Sequence, residues 1–465
     1  MERRTVLAGV KSPPVAFFLA VVVALTTWFA IADTGSMATM LAITLFCIVL
    51  WVLTPVPPSF TGVLGIGLIA VAFSTDLALS GFQKPATWLI GFGLLMGEAT
   101  RRSGLANWAG DWMTSRSVSP AVSSSPIRAY RRLLLALSLG AHALALLVPS
   151  SLVRILVLAP ILTETGSLFE SREARIGIYL GPLFATFYGS AGILTADLPN
   201  IILSGFAQSI AGQQITWTEW AINMYPVMGL LRVLLVVGIV YYLFQPAPES
   251  AFELPNADGG AVGDAEKRML LILLVGAAVW ATDFVHGFHP VVGALVVVVL
   301  AFLPNVGVVD FRTVVEEADF SILFFIAAVF AIGDGLSQTG FSDGASTYLL
   351  ELIPTDAPLA IIFACIFFIT FALTFVMEGL AVASVLTPIL IPYAEAAGLP
   401  LTPVLMSEVV ALSSYFFPYQ SAVLIVMLAE GDVETRELIT TTIACSVATI
   451  VVLLPIQFGV FTLLY

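Results

Sequence analysis

Charge is what this chain has least of. Asp, Glu, Lys and Arg make up only 11% of its 465 residues, while 59% are hydrophobic and the mean hydropathy is +1.01. So few charges cannot cover a soluble surface, and the composition indicates a polytopic helical membrane protein. Cysteine is also scarce. Cys47, Cys365 and Cys445 lie in apolar runs at unrelated spacings, which excludes a disulfide framework or a thiolate metal site. The 18 basic residues include only three lysines, and the net charge is −13, so no basic surface for nucleic acid is present. His142, His286 and His289 show no ligand spacing. No HExxH, P-loop or Asp-rich prenyltransferase pattern occurs, so neither an enzyme nor a cofactor is expected.

The acids gather in loops, as in QPAPESAFELPNADGGAVGDAE (245–266). Carboxylates keep a surface hydrated in high salt, which points to a halophilic prokaryote. Crossing the hydrocarbon of a bilayer takes roughly 20 apolar residues. Runs of that kind fall at 14–32, 36–53, 59–75, 85–102, 173–210 (interrupted), 222–244, 267–283, 288–303, 319–338, 402–430 (interrupted) and 438–464, about eleven spans. The first ends in AIAD, which has the look of a signal cleavage site. It is longer than a signal core and further spans follow at once, so it reads as a span. Two more apolar stretches, 132–168 and 357–396, are broken in the middle and read as re-entrant hairpins. With residue 1 cytoplasmic, the basic residues then fall on the cytoplasmic side except Lys84, outside, and Arg154 and Arg232, within the membrane. The positive-inside rule thus predicts a multi-pass cell-membrane protein with its N-terminus inside and its C-terminus outside.

The chain repeats itself. MGEATRRSGLANWAG (96–110) aligns with IGDGLSQTGFSDGAS (332–346), placing Gly97 on Gly333, Glu98 on Asp334 and Gly104 on Gly340. A hairpin follows each copy, PSSLVRILVLAPIL (149–162) and MEGLAVASVLTPIL (377–390). Then comes a span with a polar, proline-containing break, GSAGILTADLPN (189–200) and FFPYQS (416–421). An odd number of crossings separates the copies, so their orientations are opposite. The predicted organisation is N-terminal scaffold spans over 1–84, a first repeat over 85–244 and an acidic cytoplasmic linker over 245–266. Scaffold spans over 267–318 and a second, inverted repeat over 319–465 complete it. Inverted repeats with paired broken helices point to a secondary transporter whose site lies where the breaks meet.

This order of elements resembles the divalent anion:sodium symporter family (solute carrier family 13) of the ion-transporter superfamily, over residues 40–464. The resemblance rests on the hairpins and on GSAGILTADLPN. The family's hairpin tips carry Ser-Asn-Thr ahead of a proline. Here the tips read Ser150-Ser151-Leu152 and Glu378-Gly379-Leu380. The family's Gly-Thr-x-Pro-Asn becomes Ala196-Asp197-Leu198-Pro199-Asn200, and in the second break Pro418 stays without its Asn. The resemblance implies a homodimer, an elevator-like motion and sodium-coupled movement of a dicarboxylate, citrate or sulfate. It also implies coupling ions held by tip side chains and break carbonyls.

The residues themselves suggest how. Pro149 stops one helix and Ser150 or Ser151 caps the next, whose start carries about half a unit of positive charge, a natural anion site. Arg154 shares that face and offers a planar fork to a carboxylate or sulfate. The competing reading is that Arg154 neutralises a carboxylate of the protein. The nearby acids are Asp197 and Glu378, each either a cation or proton site or an ion-pair partner. Glu98 reads as a structural partner of Arg101 and Arg102, and Asp334 is open between site and structure. Arg232 and Glu408 read as bundle contacts. The expected anion site is Ser150, Ser151, Arg154, Asn200 and Gly379. The expected coupling-ion site is Ser150, Gly189, Asp197, Glu378, Pro418 and Ser421, with Na⁺ or H⁺ as the ion. The function expected is secondary transport of a small anion. The alternatives are a cation/proton antiporter working through Asp197 and Glu378, or, less favoured, a channel or intramembrane enzyme.

Overall fold

The computed structural model describes residues 12–117, 125–247, 250–253, 262–353 and 355–465. The described chain is almost wholly helical. Its first half runs α1 (Pro13–Ala30), α2 (Ser36–Leu53), α3 (Pro58–Ala72), α4 (Pro85–Arg102), α5 (Leu105–Ser117), α6 (Pro126–Ala145), α7 (Ser151–Gly166), α8 (Arg172–Tyr188), α9 (Leu198–Ile210) and α10 (Trp217–Leu243). The second half runs α11 (Asp264–Ala281), α12 (Val291–Phe302), α13 (Ser321–Gln338), α14 (Phe341–Leu352), α15 (Leu359–Leu373), α16 (Gly379–Ala396), α17 (Leu401–Leu412), α18 (Ala422–Glu430) and α19 (Thr435–Leu464).

From α4 to α10 and from α13 to α19 the two halves match element for element. Each begins with an 18-residue helix that ends at a left-handed glycine, Gly104 and Gly340, both at φ 79°. A residue with a Cβ is strained there, so the Ser/Thr-Gly turn of the repeated motif has one physical cause in both places. A short helix, a two-armed hairpin, a broken span and a long helix follow in each half. The long helices share a feature the sequence reading missed. Each contains a π-helical turn, Tyr225–Leu231 in α10 and Thr449–Leu453 in α19.

Two large apolar cores divide the described residues, with a small third cluster of Ala145, Ile193 and Ala196 at the first break. One holds hairpin α6–α7, α8, the later part of α10, α18 and the start of α19. The other holds α2 to α4, α9, the start of α10, α13, hairpin α15–α16, α17 and the end of α19. The chain passes between cores at each discontinuity: Tyr188 to Ala191, Met228 to Val233, Leu412 to Tyr415 and Cys445 to Leu453. All four lie on one seam, and the hairpins belong to opposite sides of it.

Among the described residues six helices are long and apolar enough to cross a membrane: α1, α2, α10, α13, α16 and α19. Eleven spans were expected, and α16 was not among them, since 357–396 was expected as a re-entrant hairpin. The shortfall has identifiable causes. The broken spans divide into helices of 17 and 13 and of 12 and 9 residues. The α4 and α11 ends carry Glu98, Arg101, Arg102 and Asp264, Glu266, Lys267, Arg268. The hairpin arms are longer than expected. The α6 helix starts at Pro126, not residue 132, and has 20 residues. Arg128, Arg131 and Arg132 look like loop charges, yet Ala129, Tyr130, Leu133, Leu134 and Leu137 between and after them form its buried face. Part of the acidic linker is docked. Glu253 N donates to Leu168 O (2.8 Å) and Glu170 N to Ala251 O (3.2 Å). Residues 254–261 of the linker lie outside the described residues.

Candidate functional site

Four helices start at the seam, and their N-caps are Ser150 (α7), Asp197 (α9), Glu378 (α16) and Ser421 (α18), all in extended conformation. The repeat pairs Ser150 with Glu378 at the hairpin tips and Asp197 with Ser421 at the breaks. Each half therefore supplies one serine and one acid, in swapped positions. Ser150 Oγ accepts from Val153 N (3.3 Å), Glu378 Oε2 from Leu380 N (2.9 Å) and Ser421 Oγ from Val423 N (3.3 Å). These side chains take up donors that a helix start leaves without partners. Asp197 instead turns to the first tip, where Ser151 Oγ donates to its Oδ1 (2.9 Å).

Arg154 is completely buried, and each of its guanidinium nitrogens already serves the protein. Nε donates to Thr186 Oγ1 (2.9 Å), and Nη1 to Val148 O (2.6 Å) and Ala196 O (3.1 Å). Nη2 donates to Ser151 Oγ (3.0 Å), Thr186 O (3.3 Å) and Ser190 Oγ (2.5 Å). The open fork expected for an anion is thus filled by protein oxygens. A direct ion pair with Asp197 is not formed either, and Ser151 Oγ alone joins the two. Arg154 is a strut that ties the first tip to the first break.

The rest of that break is braced the same way. Asn200 Nδ2 donates to Ser190 O (2.9 Å) and Ile193 O (2.8 Å), and Trp220 Nε1 to Ala191 O (3.1 Å). Gly189 and Gly192 are buried in it. A Cβ on Gly192 would stand 2.6 Å from the Gly229 backbone, so the break comes this close to the π turn of α10 because Gly192 has no side chain.

Arg232, just past that π turn, serves the second break. It is completely buried, with Nη1 on Ser413 Oγ (2.8 Å), Nη2 on Ser413 O (2.7 Å) and its guanidinium over the Tyr188 ring (4.9 Å). It bridges the breaks, as do the stacked rings of Phe187 and Tyr415 (5.0 Å between centroids). Ser446 Oγ donates to Tyr415 O (2.7 Å) and Thr442 Oγ1 to Phe416 O (3.0 Å). Gln420 Oε1 accepts from Phe416 N (2.6 Å) and Phe417 N (2.8 Å), while its Nε2 reaches Thr374 Oγ1 (2.9 Å) at the second tip. Unwound backbone persists in a bilayer only when its polar groups find such partners. Pro418 opens the short helical turn that Gln420 closes. A Cβ on Gly379 would find nothing nearer than 3.7 Å, at Leu412.

The expected residues therefore gather in two bonded pairs of tip and break. Arg232, Gln420, Trp220, Thr442 and Ser446 were missed as parts of the site. Of these, Arg232 left a trace in the sequence as a charge inside an apolar run, and Gln420 as part of the FFPYQS break. Asp334 is paired with Lys84 Nζ (2.8 Å) and Ser80 Oγ (2.9 Å). Glu98 is held by Arg101 and Arg102, both of which also reach Glu317.

Such a duplicated bundle, with a hairpin and a broken span in each half meeting on one seam, is the architecture of a membrane carrier. The chain belongs to the family described as the sodium:sulfate symporter transmembrane region, whose model matches residues 13–464. It is 26% identical to a membrane protein of Cupriavidus necator H16, covering 76% of this chain and 72% of that one. It is 25% identical to the L-tartrate/succinate antiporter of Escherichia coli K12, covering 83% and 84%. In fold it is similar to the crystal structure of the Alcanivorax borkumensis YdaH transporter. That match has a TM-score of 0.52 at 14% identity, over 83% of this chain and 86% of that one.

Proposed function

We propose that the chain is a secondary active transporter for a small anion, a di- or tricarboxylate or sulfate, held where the four helix starts meet. The observation that carries this is the gathering of the N-caps Ser150, Asp197, Glu378 and Ser421 on one seam. Helix starts favour negative charge. Ser150 and Gly379 at the tips meet the anion, with Ser151, Asn200 and Arg154 fixing the backbone around it. Asp197 and Glu378 are hard oxygen ligands for Na⁺ or acceptors for H⁺, aided by the backbone at Gly189 and Pro418 and by Ser421. The relative named an L-tartrate/succinate antiporter supports dicarboxylates as the first class to try, and exchange as one mode. An elevator-type motion of the hairpin cores in a homodimer follows the family resemblance.

The test is uptake into liposomes, screened over succinate, tartrate, citrate and sulfate. It is run with and without a sodium gradient, and with or without anion inside. Saturable uptake of one of these, raised by a sodium gradient or by internal anion, is the expected result. Movement of Na⁺ and H⁺ with no effect of any anion would replace the proposal with the cation/proton antiporter.

Inversion of the halves has its own expected result. Single cysteines placed in 116–131 react with an impermeant reagent from the cytoplasmic side, and those in 343–356 from outside. Labelling of both from one side would end the inverted-repeat reading.

A further inference from the structure

Four carboxyl groups are buried among the described residues, and three of them have an evident source of stabilisation. Asp334 is paired with Lys84. Asp283 receives the backbone N–H of Trp217 (2.5 Å) and the hydroxyl of Thr218 (2.5 Å). Asp197 receives the Ser151 hydroxyl, itself bonded to Arg154. The fourth, Glu408, is different. It is completely buried in α17, and its one partner is the equally buried hydroxyl of Thr387 on α16, 3.0 Å from Oε1 and 3.1 Å from Oε2.

Among the described residues no cation bonds to it. The helices packed along α17 are α9, α15 and α16, and α10 touches both of its ends. The titratable groups they bring are Cys365 on α15, Tyr393 and Glu395 on α16, Glu378 and Asp197 at the caps of α16 and α9, and Glu219 and Arg232 on α10. Glu219 accepts from Thr402 Oγ1 (2.8 Å) at the start of α17, and Arg232, the one basic group among these, is bonded to Ser413 just past its end. An ionised carboxylate has about four acceptor sites, and one hydroxyl fills only one of them. Burying a carboxylate unpaired is so costly that the group takes a proton instead. A neutral acid fits the geometry better, because its single O–H finds Thr387 Oγ1 within reach of either oxygen.

We propose that Glu408 and Thr387 form a buried proton-binding site, separate from Asp197 and Glu378, whose proton links anion movement to pH. The position explains the link. Glu408 stands one helical turn before Leu412, the last residue of α17, which faces Gly379 at the second hairpin tip. A shift of that tip against that break slides α16 on α17, the two helices that enclose the acid. When they part, water reaches the carboxyl and its proton passes to water. When they close, a proton is taken up again.

Infrared spectroscopy of the full-length protein in lipid tests the first half without any transport assay. At neutral pH the wild type shows the carbonyl stretch of a neutral carboxylic acid. Glu408→Gln, which keeps shape and packing, loses that band, and Glu378→Gln leaves it in place. Thr387→Val moves it to higher frequency by removing the hydrogen-bond partner, which keeps the test open even if Glu408→Gln folds poorly. A spectrum with no such band, or one unchanged by both Glu408→Gln and Thr387→Val, overturns the proposal. The second half rests on the transport reading. Anion exchange in liposomes changes severalfold with pH in the wild type, and this dependence is lost in Glu408→Gln. Loss of the band with the pH dependence intact would make Glu408 a fixed neutral acid and overturn the link.

Discussion

Arg154→Ala yields no folded protein in detergent. Removing the guanidinium leaves Thr186 Oγ1 without its donor, while the carbonyls of Val148, Thr186 and Ala196 keep only Ser150 N, Ser190 Oγ and Ser151 Oγ. It also empties a fully buried site and takes away the cation joined to Asp197 through Ser151. Leaving a buried charge uncompensated costs about 3–5 kcal/mol, a large part of the roughly 5–15 kcal/mol by which a domain is stable. Arg154→Lys retains the charge but not the six-bonded fork, so it folds with a lower melting temperature. Thermal unfolding followed by tryptophan fluorescence separates these outcomes. If Arg154→Ala instead melts like the wild type and only anion affinity falls, the strut assignment is wrong and the guanidinium returns to the substrate.

The second large effect is functional. Glu378→Gln keeps an oxygen that accepts from Leu380 N, so α16 stays capped and the fold survives. What it loses is a negative charge at the seam. The expected result is loss of gradient-driven uptake with exchange of anion for anion partly retained, because exchange needs no net movement of the coupling ion. Each charge carried across adds about 2.3 kcal/mol per 100 mV, so surplus cations make driven uptake sensitive to membrane potential. Full sodium-driven uptake by Glu378→Gln would reduce this carboxylate to a helix cap and nothing more.

How much of this could be read from the residues alone depends on where the cause lies. The α4 helix occupies 85–102 as expected, because Pro85 starts it and a Ser-Gly turn ends it, both local signals. The hairpin tips and both breaks stand where Pro149, Gly189, Gly379 and Pro418 put them. Of the four caps only the first was legible, because Ser before an apolar run has a known use; Asp197, Glu378 and Ser421 were read as ion ligands. The partners of the unwound backbone were not. Ser446 and Thr442 serve a break some 30 positions earlier in the chain, and Arg232 one far later. A sequence displays the need for donors at a break but not which distant helix supplies them. Arg154 misled for the same reason, since its partners Thr186 and Ser190 lie in the next helix and break. The π turns left only faint marks, Pro226 within one and Pro455 just past the other.

Those wide turns bear on helical phase. An α-helix advances roughly 100° per residue, so one residue added or removed swings everything beyond it by that angle. Arg232 follows the π turn of α10 directly and points at Ser413. Tightening that turn to α geometry would carry the guanidinium off the second break and onto another side of the helix. Thr442 and Ser446 lie ahead of the wide turn in α19 and would keep their aim at Tyr415 and Phe416, while the end of the helix beyond Leu453 rotated away from its core. The extra residue in each long helix therefore works as a phase correction. It lets one continuous rod present its correct face to two different cores, one on each side of the seam.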